Sequence, residues 1–142
     1  MELGADIYLV NEILYETRTV KEIEFKKYLW NNFKIYKDCA YILVDNKILT
    51  ELKGRKADCD SFSRSLVSIE GINRSFSLIE EVEGIFNLSM RSKNGYDIRV
   101  VAEKLGGGGH TCAAGAKFSA KNIKDAKKQV FEAMFKGENN EN

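Results

Sequence analysis

The amino-acid sequence predicts an α/β (α+β) domain, a mixed β-sheet with packed helices in the element order αββαββαβα. Segments with apolar residues at helical spacing are interleaved with segments that alternate as strands do. No Gly- or Ser-rich linker divides the chain, and 142 residues, 44% hydrophobic and 11% aromatic, suffice to bury a core.

Taken in order, Asp6 is a suitable N-cap for a first helix, because Ile7, Val10 and Leu14 recur at i, i+3 and i+7 and the pattern ends near Tyr15. Thr19-Val20-Lys21-Glu22 has the form of a capping box, whose hydroxyl and carboxylate satisfy N–H groups left free by the first turn. The helix it opens should run to about Phe33. Its aromatic residues Phe25, Tyr28, Trp30 and Phe33 lie among Ile23 and Leu29, which suits packing against neighbours better than base stacking. The apolar run Tyr41 to Val44, followed by Asp45-Asn46, predicts two strands joined by a tight turn. Asp60 is the expected cap of a short helix carrying Phe62, Leu66 and Ile69, with Gly71 placed to stop it. Phe76 and Leu78, the turn Glu83-Gly84, then Phe86, Leu88 and Met90 predict a second hairpin. Asp97 should cap a helix with Ile98, Val101, Ala102 and Leu105 on one stripe, ended by Gly106 in the left-handed conformation. "CAAGAKF" reads as a short strand, and Asn122 as the cap of a last helix that turns Ile123, Ala126, Val130, Phe131 and Met134 inward before Gly137. Residues 137–142, "GENNEN", are expected to be a disordered tail.

Charge excludes a chain-wide polyanion field: 22 Lys plus Arg stand against 21 Asp plus Glu, a net charge of +1. Any anion site must be local. Cys39, Cys59 and Cys112 form no C-x-x-C pair, so reduced thiols are expected rather than a disulfide framework or a zinc ribbon. No stretch approaches the roughly 20 apolar residues of a membrane span, and "MELGADIYLVNEILYE" is too acidic for a signal peptide. A cytoplasmic protein with no membrane partner is expected.

"EKLGGGGHTCAAG" concentrates five of the eleven glycines and the only histidine in residues 103–115. One glycine suffices to end the preceding helix. Without Cβ atoms, Gly107, Gly108 and Gly109 can bring backbone N–H groups toward an anion, and His110 adds a side-chain donor for a phosphate oxygen. Arg91, Lys93, Arg99, Lys104 and Lys117 against Asp97 and Glu103 make this region locally basic. Among these, Arg91 at the end of a strand is the residue suited to grip phosphate bidentately, whereas Lys93, Arg99 and Lys104 read as solvated surface. The loop is neither a Walker loop nor a dinucleotide fingerprint, since no Gly-Lys-Ser/Thr follows it and no strand precedes it. A catalytic or metal-binding residue is not assigned in this chain: one His, with Cys112 two positions on, falls short of a zinc or two-metal site.

GGGGHTCAAG closely resembles the G-G-G-H-x-x-A-A-G motif of the DHH-associated domain, the C-terminal lobe of DHH-family phosphoesterases. The resemblance extends from about Leu3 to Phe135, and the family's S-x-R-S strand end corresponds to Ser89, Met90, Arg91 and Ser92. It implies substrate-binding roles for Arg91, Ser92, Gly107, Gly108, Gly109, His110 and Ala113, which hold the phosphate and sugar side of the substrate. It also implies that Mn²⁺ or Mg²⁺ sits in a separate upstream DHH domain, since no D-H-H triplet occurs here. Residues 1–36 then correspond to hinge helices leaving that domain, residues 37–136 to the substrate-binding domain, and residues 137–142 to the tail. The ending Ala113-Ala114-Gly115 is closer to the small enzymes that degrade very short RNAs and dephosphorylate 3′-phosphoadenosine 5′-phosphate than to those that cleave cyclic di-AMP. The implied partners are short RNA or a nucleoside bisphosphate, the upstream DHH domain, and a second copy through a homodimer of the full-length protein. A cyclic dinucleotide phosphodiesterase lobe and a stand-alone, non-catalytic nucleotide-binding module are the alternative readings.

Overall fold

Thr19 begins the described part of the chain, residues 19–136 of a computed structural model, by accepting a hydrogen bond from the Glu22 N–H at 3.1 Å. This N-cap starts α1 (Val20–Asn32), as the capping box predicts, and Phe25 and Leu29, one helical turn apart, are fully buried by it. The expected helix from Asp6 to Tyr15, residues 1–18 of the hinge, and the tail 137–142 lie outside the described residues. Beyond α1 come β1 (Lys34–Tyr36), β2 (Cys39–Val44), α2 (Asn46–Glu51), α3 (Lys56–Val67), β3 (Arg74–Val82), β4 (Ile85–Ser92), α4 (Ile98–Lys104), β5 (Gly108–His110), β6 (Ala113–Ser119) and α5 (Ile123–Phe135). The expected order of element types is present, with two additions: the short helix α2 and the short strand β5.

The six strands form one mixed sheet in the order β1-β2-β3-β4-β6-β5, parallel only between β2 and β3. That parallel pair corrects the first predicted hairpin. Parallel neighbours cannot be joined by a two-residue turn and need a crossover. The Asp45 carboxylate therefore caps α2, accepting from the Ile48 N–H at 2.9 Å, and residues 46–51 are helical rather than a second strand. The actual hairpin lies earlier, between β1 and β2, with Lys37 at a φ of 57°. Asp60 is also relocated. Arg55 is the N-cap of α3, and Asp60 lies inside the helix, paired with Lys56 at 2.9 Å. Gly71, at a φ of 86°, stands in the turn before β3 rather than at the helix end. The Glu83-Gly84 turn and the caps at Asp97 and Asn122 are placed as expected.

Each face of the sheet has its own core. Phe25, Leu29, Ile42, Cys59, Leu66 and Ile79 pack on the face beneath α1 and α3. Tyr41, Phe76, Leu78, Phe86 and Met90 pack on the other face with Val101, Val130 and Phe135 from α4 and α5. The aromatic residues of α1 serve packing: Trp30 meets Phe62 and Phe33 edge-on at centroid distances of 4.7 and 5.8 Å. No described helix is long and apolar enough to cross a membrane.

At the start of β3, the Arg74 guanidinium is buried, paired with Asp38 at 2.7 Å and stacked over the rings of Tyr96 and Phe135 at 4.4 and 4.6 Å. Burial by itself would raise the Asp38 pKa. Hydrogen bonds from Arg74, Tyr96 and Asn73, with the Arg74 charge, outweigh it and hold the carboxyl below its usual value of 3.8. A carboxylate of this kind contributes stability that is complete above its unfolded pKa and lost as pH falls through the folded one. Asp38→Asn should therefore cost about 3 kcal/mol at pH 7, because it leaves the Arg74 charge buried without its carboxylate. Urea unfolding measured from pH 7 to 2 should show the gap between variant and wild type closing below the ordinary carboxylate range.

Candidate phosphate-binding cleft

Strand β4 alternates, turning Phe86, Leu88, Met90 and Ser92 into the core beneath α4 and α5 and leaving Asn87, Ser89 and Arg91 for the opposite face. On that opposite face α1 and α3 cover the β2 and β3 side of the sheet, and α3 reaches β4. The β4-β6-β5 side carries small residues instead. Pairing puts Arg91, Ala113 and His110 in one cross-strand row and Ser89, Gly115 and Gly108 in the next. An open cleft of about 280 Å³ results, and its lining includes Arg91, Ser89, Gly108, Gly115 and, from the first turn of α3, Lys56.

The expected site residues do not all share this cleft. Arg91, Gly108, Gly109 and Ala113 line it. His110, exposed on the edge strand β5, stands at the end of the Arg91 row and does not contribute to the lining. Gly107 is a packing residue, since a Cβ there would come within 2.6 Å of the Ala116 Cα. Ser92 is buried, and its hydroxyl donates its one hydrogen between the Tyr96 carbonyl, at 2.7 Å, and the Thr111 carbonyl, at 3.1 Å. The Ser92 N–H meets the Cys112 carbonyl at 3.0 Å and the Ile98 N–H meets that of Thr111 at 2.8 Å. Ser92 therefore fixes the turn between β5 and β6 rather than facing the cleft.

The picture of three glycines converging their N–H groups also needs correction. Gly108 and Gly109 belong to a strand paired with β6, in which successive N–H groups point in alternate directions. What the glycines supply is closeness and bareness. Gly109 adopts a φ of 147°, and a Cβ on it would lie 2.6 Å from the Ala113 carbonyl oxygen. One on Gly115 would lie 2.6 Å from the Leu88 carbonyl oxygen, whereas Gly108 faces open space.

Arg91 brings the strongest chemical signal. Its Nε is shielded from water and has no hydrogen-bond partner among the described residues, a condition that costs on the order of 1 to 3 kcal/mol. Three of the other local cations have partners: Lys93 donates to the Ile69 carbonyl and Lys104 to that of Ala133, both at 3.3 Å, and Arg99 pairs with Asp97 at 3.6 Å. Burial pushes the Cys39 and Cys59 thiols up to about 12, so both are unreactive core groups, while Cys112 is exposed; all three are free. Among the described residues, no group of three or more His, Cys, Asp or Glu side chains is placed to hold a metal ion.

Sequence reasoning passed over Lys56, Ser89 and Gly115 as site residues. Ser89 shares a strand face with Arg91 two positions on, a spacing that identifies it once β4 is assigned. Gly115 faces Ser89 through strand pairing. Nothing local marks Lys56, which tertiary packing brings in from 35 positions before Arg91.

The DHHA1 domain family matches residues 42–136. The chain is 33% identical over 131 residues to the bifunctional oligoribonuclease and PAP phosphatase NrnA of Mycoplasma pneumoniae, covering 89% of this chain and 40% of that protein. It is 31% identical over 142 residues to the cyclic-di-AMP phosphodiesterase PdeA of Listeria monocytogenes, covering 96% of this chain and 20% of that one. The chain thus spans well under half the length of these relatives. An exopolyphosphatase-related protein from Bacteroides fragilis superposes with a TM-score of 0.79 at 26% identity, over 94% of this chain and 39% of that one.

Neighbouring glycines should respond to substitution in opposite ways. Gly107→Ala forces its methyl against β6 and should cost about 1 to 3 kcal/mol, as overpacking does. Gly108→Ala, with space around its Cβ, should leave the thermal midpoint near that of wild type. Calorimetric melting of the two variants measures the contrast.

Proposed function

The chain belongs to the DHHA1 domain family, and from that membership we propose that it is the phosphate-binding lobe of a DHH-type phosphodiesterase acting on short RNA or a nucleoside bisphosphate such as 3′-phosphoadenosine 5′-phosphate. The observation that carries this reading is that Arg91 lines a cleft floored by Ser89, Ala113, Gly108 and Gly115. A planar guanidinium that lines a cleft holds a phosphate through two parallel bonds. The bare floor admits the sugar and base close to the main chain. His110, at the end of the Arg91 row, donates to a sugar or phosphate oxygen at the rim.

The described residues do not fit a two-metal centre, which needs a cluster of His and Asp ligands around ions about 3.5 to 4 Å apart. The reading assigns the Mn²⁺ or Mg²⁺ of the reaction to the upstream DHH domain, the proposed partner that closes over the substrate. The role of this chain is to bind and orient. A cytoplasmic setting and a homodimer of the full-length protein complete the proposal. A second reading, with a cyclic dinucleotide as substrate, draws on the identity with the Listeria phosphodiesterase. Titration of cyclic di-AMP beside adenosine 3′,5′-bisphosphate discriminates between them through the tighter ligand.

Arg91→Ala and Arg91→Lys should each weaken adenosine 3′,5′-bisphosphate roughly tenfold, since lysine keeps the charge but loses the fork, while His110→Ala should cost a similar factor. Calorimetric titration with unchanged melting temperatures is the measurement, and full retention by Arg91→Lys would reduce Arg91 to a generic charge.

Catalysis provides a separate test. With excess Mn²⁺, residues 1–142 should bind but not hydrolyse a 5′-phosphorylated diadenylate, and a chain extended upstream through a DHH domain should turn it over. Hydrolysis by residues 1–142 that His110→Ala abolishes would overturn the assignment as a binding lobe.

A further inference from the structure

Lys56 has no part in the family motif, yet it lines the same cleft as Arg91. Its position follows from the crossover. Because β2 and β3 run parallel, α3 between them runs back along the sheet. The middle of α3 is fixed over the Arg91 row: the Ser75 hydroxyl donates to the Ser63 carbonyl at 2.6 Å, and Ser75 is paired with Arg91. From Ser63 back to Lys56 is seven residues, or about 10 Å along the helix axis. That displacement runs toward the C-terminal end of β3, and so from Arg91 past Ser89 on the antiparallel strand β4. The helix axis thus carries Lys56 to a different point along the cleft from the Arg91 row, and Ser89, Gly115 and Gly108 line the cleft with both cations.

Resting on the phosphate-binding reading above, we propose that Lys56 forms a second phosphate subsite, so that the cleft selects ligands carrying two phosphates on either side of one ribose. Arg91 takes one phosphate as a fork and Lys56 the other as a point charge. The resting partner of Lys56 is Asp60, one turn along its own helix, in a pair whose side chains are 46% and 31% exposed. Such a pair is weak enough to be exchanged for a phosphate dianion.

Calorimetric titration of adenosine 3′,5′-bisphosphate and of AMP separates the two proposals. Wild type should bind the bisphosphate roughly tenfold more tightly than AMP. Lys56→Met should remove that preference by weakening the bisphosphate alone, and Lys56→Arg should restore it. Arg91→Ala should weaken both ligands. Bisphosphate binding should also become less sensitive to salt in Lys56→Met, since one screened ion pair is removed. A preference that persists in Lys56→Met, or a wild type that binds both ligands equally, overturns the second subsite and leaves the first reading standing. Binding of neither ligand by wild type overturns the phosphate-binding reading itself. Lys56 is largely solvent-facing, and matched melting curves confirm that its variants are folded.

Discussion

The structure around the cleft depends on how closely β5 approaches β6 and β6 approaches β4. Gly107, Gly109 and Gly115 stand where a Cβ would meet backbone or side-chain atoms of the neighbouring strand at 2.6 Å or less. Absence of side chains is what lets residues 108–110 fold back as the last strand of the sheet. The same absence keeps the floor of the cleft at main-chain height. One property, bareness, therefore shapes both the edge of the fold and the floor of the cleft, while Gly108 alone lines the cleft without serving the packing.

A second constraint holds this end of the sheet in place. Arg74, Asp38 and Tyr96 tie the β1-β2 turn to the start of β3 and to the turn after β4, and Ser92 ties β4 to the Thr111-Cys112 turn. Asn73 adds bonds to both sides, receiving the Lys93 N–H on its carbonyl and donating its side chain to Asp38. Arg91 sits one residue before this knot. Its guanidinium is consequently presented by a fixed strand end, and preorganisation of that kind would reduce the entropy lost in the phosphate binding proposed for it.

The two faces of the sheet divide the work. Beneath α4 and α5 the strands contribute Phe76, Phe86, Leu88 and Met90 to a closed core. On the opposite face α3 stops short of β6 and β5, so its first turn becomes a wall rather than a lid. Lys56 on that wall and Arg91 on the floor are therefore brought together by the crossover connection, with Asp45 and Asn46 starting it. Asn46 reaches the β3-β4 turn region through hydrogen bonds to Glu80 and Glu81, and Glu80 in turn receives the Gly84 N–H.

By itself the sequence determined the elements whose signals are local. The Thr19, Asp97 and Asn122 caps, the Glu83-Gly84 turn and the period-two alternation of β4 depend only on residues within a turn or a strand of one another, and each appears where the pattern places it. That Arg91, Gly108, Gly109 and Ala113 line one cleft was legible from two short motifs, the strand end at Arg91 and the glycine-histidine run, taken together. Tertiary structure decided the rest. Asp45-Asn46 suits a tight turn and a helix cap equally well, and only the parallel pairing of β2 with β3 selects the cap. Whether Ser92 faces the ligand or the core is fixed by the parity of β4, and whether glycines form an anion nest or a strand is fixed by β6 beside them. Lys56 enters the cleft through a helix that reverses along the sheet, and no spacing between residues 56 and 91 encodes that encounter. Contacts made across strands and crossovers depend on register and connection, and those are properties of the packed sheet.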